Sequence, residues 1–276
     1  VNALLALAAS ALWGTSDFGG GLMSRRLDAS ATVLISQALA LAGLLALLPI
    51  ASVPTGPYLL TGAAAGVVAT LSLAAFYRAM ATAPMSLVAP ITASGTCIPV
   101  LVGLFRGEHL GPVRLAGIVV ALVGIVLASG PEIRSGIAVR RQAIVLSIGA
   151  AIGFGTAYTL LALAAGTSVY GTLLSQRVAG LIALAPIVLR SGVLPRLGLS
   201  IRRVAALAAI GGCDIVANGS YALAASRGDL SVAAVLASLY PVVTALLART
   251  ILAERLRRVQ TFGVIAALTG VLLLSA

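Results

Sequence analysis

Apolar stretches of membrane length follow one another along the whole chain, separated only by short polar, proline-bearing or glycine-bearing breaks. They run at about 2–23, 31–51, 58–82, 85–105, 112–129, 142–165, 168–189, 202–225, 229–251 and 258–275. A helix satisfies its own backbone groups, and about 20 residues of helix cross a hydrocarbon core, so the pattern predicts an all-α polytopic membrane protein with ten transmembrane helices. Pro54-Thr55-Gly56-Pro57, Gly130-Pro131 and the segment from Arg190-Ser191-Gly192 to Pro195 supply helix breakers between spans. The first stretch lacks a basic n-region and an Ala-x-Ala-like cleavage site, and is expected to be the first helix and not a removable leader.

The pattern repeats itself. Glu108-His109-Leu110 is followed by Gly117, Ala121, Leu122, Gly124, Leu127 and Ser129, and 146 residues later Glu254-Arg255-Leu256 is followed by Gly263, Ala267, Leu268, Gly270, Leu273 and Ser275. Weaker pairs fall in the same order: Trp13-Gly14-Thr15-Ser16 with Phe154-Gly155-Thr156-Ala157, Ser36-Gln37 with Ser175-Gln176, and Tyr77 with Tyr221, at offsets of 141, 139 and 144. Four ordered matches predict a duplication: a repeat at 1–130, a linker at 131–141 and a second repeat at 142–276. With an odd number of spans per repeat, the second copy must enter the bilayer from the opposite side, which predicts two inverted five-helix repeats around a central cavity.

Composition removes the alternatives. At 60% hydrophobic and 9% charged residues, with mean hydropathy +1.13, the chain has too little polar surface to coat a soluble globule. The net charge of +11 comes from eighteen arginines and no lysine. These punctuate the apolar stretches and form no basic face interleaved with aromatics, which excludes nucleic acid as a partner. Fourteen of them fall on the side carrying loops 1–2, 3–4, 5–6, 7–8 and 9–10, against Arg106, Arg114 and Arg227 on the other side and Arg177 in mid-span. The positive-inside rule then predicts a multi-pass protein of the cell (inner) membrane with both termini extracytoplasmic.

Several residues point to a family. Trp13-Gly14 in span 1, Phe76-Tyr77-Arg78-Ala79 closing span 3, Pro99 with Glu108 around loop 4–5, and Tyr240-Pro241 with Glu254-Arg255-Leu256 around loop 9–10 sit in paired repeats that each end in a glycine-rich helix. Over essentially its whole length the chain resembles the EamA branch of the drug/metabolite transporter superfamily. The resemblance implies a basket of ten helices around a cavity lined mainly by spans 1, 3, 4, 6, 8 and 9, and export of amino acids or other small metabolites. One departure is that loop 2–3, Ala51 to Pro57, carries no charge, whereas a basic loop 2–3 and cytoplasmic termini are common in the family.

Polar residues buried in lipid are expensive, so those present are candidates for function. In span 8, Asp214, Asn218 and Tyr221 recur at i, i+4 and i+7 and share one helix face. Asp214 and Arg177 are expected either to pair, pinning spans 7 and 8 together, or to form a substrate or proton site. Trp13, the chain's one tryptophan, lies mid-span and either stacks on substrate or packs between helices. Ser16, Tyr77, Thr92, Ser94, Tyr158, Gln176, Ser238 and Tyr240 complete the candidate substrate-binding set, with interhelical hydrogen bonding as their ordinary role. Asp17 is expected to pair with Arg25 or Arg26 at the mouth, and Arg78 is a second possible coupling residue. Pro90, Pro99, Pro186 and Pro241 are expected to kink their helices. Glu108 and Glu254 are expected to cap the helices that follow them, and His109 to be a solvated loop residue. Cys97 and Cys213 lack metal or CxxC spacing and are expected to be buried small apolar residues. Gly62 with Gly66, and Gly149 with Gly153, are expected to let helices approach closely.

No cofactor and no metal is expected, because no glycine leads into a phosphate-binding loop and no ligand cluster occurs. Nor does the chain carry an HExxH or GxSxG motif, which argues against an enzyme. The expected function is a secondary transporter, an exporter of a small polar or amphipathic metabolite such as an amino acid, working by alternating access as a monomer or homodimer in the lipid bilayer. A lipid-linked or nucleotide-sugar carrier and a multidrug or amine efflux protein of the same fold are the alternatives.

Overall fold

The computed structural model describes residues 1–83, 85–128, 141–251 and 258–275, and within them every regular element is helical. The helices are α1 (Asn2–Ser24), α2 (Ala29–Leu45), α3 (Tyr58–Thr82), α4 (Met85–Ala93), α5 (Cys97–Phe105), α6 (Pro112–Ala128), α7 (Arg141–Ala165), α8 (Val169–Arg190), α9 (Ile201–Arg227), α10 (Leu230–Ala237), α11 (Tyr240–Ile251) and α12 (Arg258–Ser275). Four of them, α3, α7, α8 and α9, are each long and apolar enough to cross a membrane unaided. Side chains of Asp28, Ser168 and Ser200 accept backbone N–H bonds that start α2, α8 and α9, the usual role of such residues at a helix N-terminus. The linker, apart from Arg141, and the stretch holding Glu254, Arg255 and Leu256 lie outside the described residues.

Three expected spans are corrected. The second ends early, at Leu45, where the chain turns through a short 3-10 segment containing Pro49. The fourth is two helices, α4 and α5, joined through a 3-10 turn at Ser94–Thr96, and the ninth is likewise α10 and α11. Pro99 and Pro241 have no N–H, and their rings crowd the carbonyls four residues back, at Gly95 and Ala237. The α ladder gives way at those two places. Pro186, by contrast, lies inside an uninterrupted α8.

The packing pairs map onto one another when the two halves are exchanged. α1 lies along α9 as α7 lies along α3; α2 meets α9 as α8 meets α3; α4 meets α7 as α10 and α11 meet α1. α5 packs on α10, and α6 on α12. α1 and α9 are antiparallel, since Asn2 Nδ2 donates to Arg227 O at 2.9 Å while Ser16 Oγ donates to Ile210 O at 3.0 Å. α6 and α12 are also antiparallel: Gly117 lies beside Gly270 and Leu273, Gly124 against Ala267, and Gly270 against Ala121. At the 146-residue offset Gly124 matches Gly270 and Ala121 matches Ala267, so this contact is self-complementary, as across a two-fold axis. Close approach through small residues holds elsewhere too, with Gly62 and Gly66 on α8 and Gly153 on Ser72; Gly149 meets nothing.

A Cβ on Gly124 would fall onto the backbone of Ala267, whereas one on Gly149 would enter open space. Gly124→Ala is therefore expected to cost about 1–3 kcal/mol through overpacking. It should lower the thermal midpoint of the detergent-purified protein, while Gly149→Ala leaves it within error.

Candidate functional site

Near the middles of α1 and α9, side chains from six helices converge on a cleft of about 30 Å³. Its lining includes Trp13 and Asp17 of α1, Gln37 of α2, Thr70 of α3, Phe154 and Tyr158 of α7, Gln176 and Arg177 of α8, and Asp214 and Asn218 of α9. The i, i+4 spacing of Trp13 with Asp17, of Phe154 with Tyr158 and of Asp214 with Asn218 turns each pair to the same side of its helix. At this size the cleft has room for roughly one water molecule.

The lining follows the repeat register. Trp13 corresponds to Phe154 and Asp17 to Tyr158 at an offset of 141, Gln37 to Gln176 at 139, and Thr70 to Asp214 at 144. Both members of all four pairs line the cleft. The backbone symmetry is broken only by chemistry: where one half has Asp17, Thr70 and Ala38, the other has Tyr158, Asp214 and Arg177.

Asp214 is the hub. Its Oδ2 accepts from Arg177 Nη2 at 2.5 Å and from Gln37 Nε2 at 3.1 Å, and its Oδ1 accepts from Asn218 Nδ2 at 3.2 Å. Gln176 Nε2 in turn donates to Asn218 Oδ1 at 3.3 Å. All these residues are buried. A charge pair inside a low-dielectric bundle survives only when its remaining polar atoms are met, and here several are not. Gln37 Oε1, Gln176 Oε1, Arg177 Nε and Tyr221 Oη are buried without a hydrogen-bond partner.

Aromatic rings close one wall. Trp13 stacks on Tyr158 with centroids 4.6 Å apart, Phe154 lies parallel to Tyr158 at 5.7 Å, and Tyr221 tilts against both Trp13 and Tyr158 at 5.6 and 5.5 Å. Tyr77 is fully buried and donates to Ser16 O at 3.3 Å.

Of the residues expected from sequence, Trp13, Asp17, Tyr158, Gln176, Arg177, Asp214 and Asn218 are brought together at the cleft, with Tyr221, Tyr77 and Ser16 packed behind it. Ser94 is exposed on the bundle exterior beside Cys97. Thr92 and Ser238 spend their hydroxyls on Val88 O and Val235 O of their own helices, while Tyr240 sets its backbone carbonyl against Gly14 and its buried ring within electrostatic reach of Asp17 and Tyr158. Arg78 is exposed and away from the cleft. Asp17 does not pair with Arg25 or Arg26, because it faces inward; the ion pairs among the described residues are Arg177–Asp214 and Arg114–Asp229. Cys97 is exposed and Cys213 half-buried, each on an outer helix face where neighbouring helices do not cover it. Gln37, Thr70 and Phe154 were not singled out from sequence, although each is the repeat partner of a residue that was.

Glu108 behaves differently from expectation. Its carboxylate accepts from the backbone N–H groups of Leu230 at 2.6 Å and Ser231 at 3.1 Å, so it caps α10 and not the helix that follows it. Free N–H groups and the positive end of the helix dipole at α10 provide the attraction, and Gly103 leaves space for the carboxylate to lie on α5. Ser231 Oγ donates to Val100 O at 3.1 Å, and Arg114 pairs with Asp229 at 3.2 Å. Together these bonds tie the two halves of the chain at one end of the bundle.

Two stability outcomes follow. Arg177→Met, which strands a buried carboxylate, should cost about 3–5 kcal/mol, whereas Arg177→Met with Asp214→Leu should cost less than the single change. Glu108→Ala should cost about 1.5–3 kcal/mol and Glu108→Gln less, because the amide keeps one acceptor. Thermal unfolding in detergent reads both comparisons.

A protein-family model described as "EamA-like transporter family" matches residues 2–130 and 141–276. A search of the curated proteins finds no match. Among solved structures, one described as "Crystal structure of protein" superposes with a TM-score of 0.72 at 21% identity, over 99% of this chain and 95% of its own, which is a likeness of fold.

Proposed function

This chain belongs to the EamA-like transporter family, a family of multi-pass membrane transporters, and on that premise we propose that it exports a small metabolite bearing a primary amine, such as an amino acid, by alternating access. The supporting observation is the balance of unmet groups at the cleft. Two carboxylates, Asp17 and Asp214, face one guanidinium, Arg177, and the amide oxygens of Gln37 and Gln176 lack donors. An ammonium group brings three N–H donors and one positive charge, which answers that deficit. Trp13, whose ring lines the same cleft, adds cation–π attraction on the side that Tyr158 does not cover. Arg177 Nε is the complementary donor for a substrate carboxylate.

The cleft's volume supports a mechanism in which the halves part. With space for about one water, it must widen to admit a metabolite. We read residues 1–130 and 142–276 as inverted five-helix repeats whose rocking does this, a reading supported by the antiparallel, self-complementary α6–α12 contact and by the matched breaks in spans four and nine. The bonds around Glu108 would hold one end shut while the other opens. The arginine-rich loops support an orientation with that end outside and both termini extracytoplasmic.

An organic amine without a carboxylate is the second reading, favoured by the neutralisation of Arg177 by Asp214. A nucleotide-sugar carrier would need an excess of cationic groups, and the cleft carries one guanidinium beside two carboxyl groups.

Binding of amino acids, their decarboxylated amines and their N-acetyl derivatives to the purified protein tests this reading. Amino acids and amines should bind, N-acetyl derivatives should not, and Asp17→Asn should weaken binding at least tenfold; retention of the N-acetyl compounds would defeat the amine assignment. For orientation, a membrane-impermeant thiol reagent applied to intact cells should label Thr55→Cys and spare Ser191→Cys.

A further inference from the structure

Outside the central cleft, a groove of about 430 Å³ runs along the outer seam between α1 and α9. One wall runs along α1 from Thr15 through Gly19 to Arg26 in the turn that follows the helix, and the other along α9 from Cys213 through Ala209 to Ala206. Apart from hydroxyls at the Thr15 end, these walls are apolar until Arg26. The two helices are antiparallel, so the Arg26 end of one wall meets the Ala206 end of the other. One helical turn beyond Ala206, on the same face, stands Arg202. Both arginines are exposed, and among the described residues neither is in an ion pair.

The groove's length is informative. From Thr15 to the end of α1 at Ser24 the helix rises roughly 14 Å, with Arg26 in the turn just beyond, which is close to the ~15 Å depth of one leaflet's hydrocarbon. A slot that is apolar for one leaflet's depth and cationic at a single end matches an amphiphile with one anionic head. We propose that this groove binds an anionic phospholipid of the leaflet on the Arg26 side, its acyl chain against Gly19 and Ala206 and its phosphate between Arg26 and Arg202. An interfacial arginine near anionic lipid is worth about fivefold in affinity, and two of them give a clear preference over a zwitterionic lipid.

The consequence reaches the central site, because α1 and α9 carry Trp13, Asp17, Asp214 and Asn218 on their inner faces. Across the groove floor, Ser16 Oγ to Ile210 O is a direct bond between the two helices, and a seated chain braces the same seam from outside. The inference rests on membrane residence and on this groove, so it stands or falls separately from the amine assignment.

Native mass spectrometry of the full chain, released from detergent with equal amounts of dioleoyl phosphatidylglycerol and dioleoyl phosphatidylcholine, is the test. The parent should retain phosphatidylglycerol at least tenfold over phosphatidylcholine, and Arg26→Gln with Arg202→Gln should bring that ratio to about one. Ala209→Trp, an exposed position where the ring fills the groove, should cut retention of both lipids several-fold, while Arg78→Gln changes neither. Glycerol phosphate, a head group without chains, should not displace the lipid. Equal retention of the two lipids by the parent, a preference surviving in the double arginine variant, unchanged retention in Ala209→Trp, or displacement by glycerol phosphate would each overturn the proposal.

Discussion

A buried charge pair organises this molecule. Asp214 and Arg177 sit on different helices, α9 and α8, and neither can turn to water. Gln37 and Asn218 must then supply further hydrogen bonds to Asp214, which draws α2 into the same cluster. Because breaking such a pair is far more costly than forming it is favourable, the cluster acts as a constraint on how three helices, α2, α8 and α9, meet more than as a source of net stability. The polar atoms that it leaves unmet are the physical reason to regard the cleft as a binding site.

Duplication gives that cluster its setting. Four matched positions from each half line the cleft, yet the charges are distributed unequally, with Asp17 from one half and Asp214 with Arg177 from the other. The paired breaks before Pro99 and Pro241 belong to the same logic, since non-helical backbone at membrane depth is tolerated only where protein or an aqueous cavity surrounds it.

Contacts at the ends of the bundle are of another kind from those at its centre. Glu108 on the N-terminus of α10 and Arg114 on Asp229 are partly exposed, charged and local to one end. The α6–α12 seam is instead a close approach of two backbones through Gly117, Gly124 and Gly270.

Helix positions, the repeat and the polar face of α9 were legible in the sequence because each is a periodic signal: apolar runs of membrane length, ordered matches near a fixed offset, and i, i+4, i+7 spacing along one helix. Gln37, Thr70 and Phe154 could be read only by carrying known candidates across the repeat. Partnership was not legible. Asp17 turned inward and not toward Arg25, Glu108 capped a helix 122 residues away, and Ser94 with Cys97 faced outward, because which neighbour a side chain meets depends on how helices from opposite halves cross. Sequence alone determined that the chain lives in lipid as a duplicated helical bundle, since hydropathy and periodicity are local properties. Only the tertiary structure decided which buried polar groups answer one another, because charge, hydrogen bonding and close packing are settled between elements far apart in the chain.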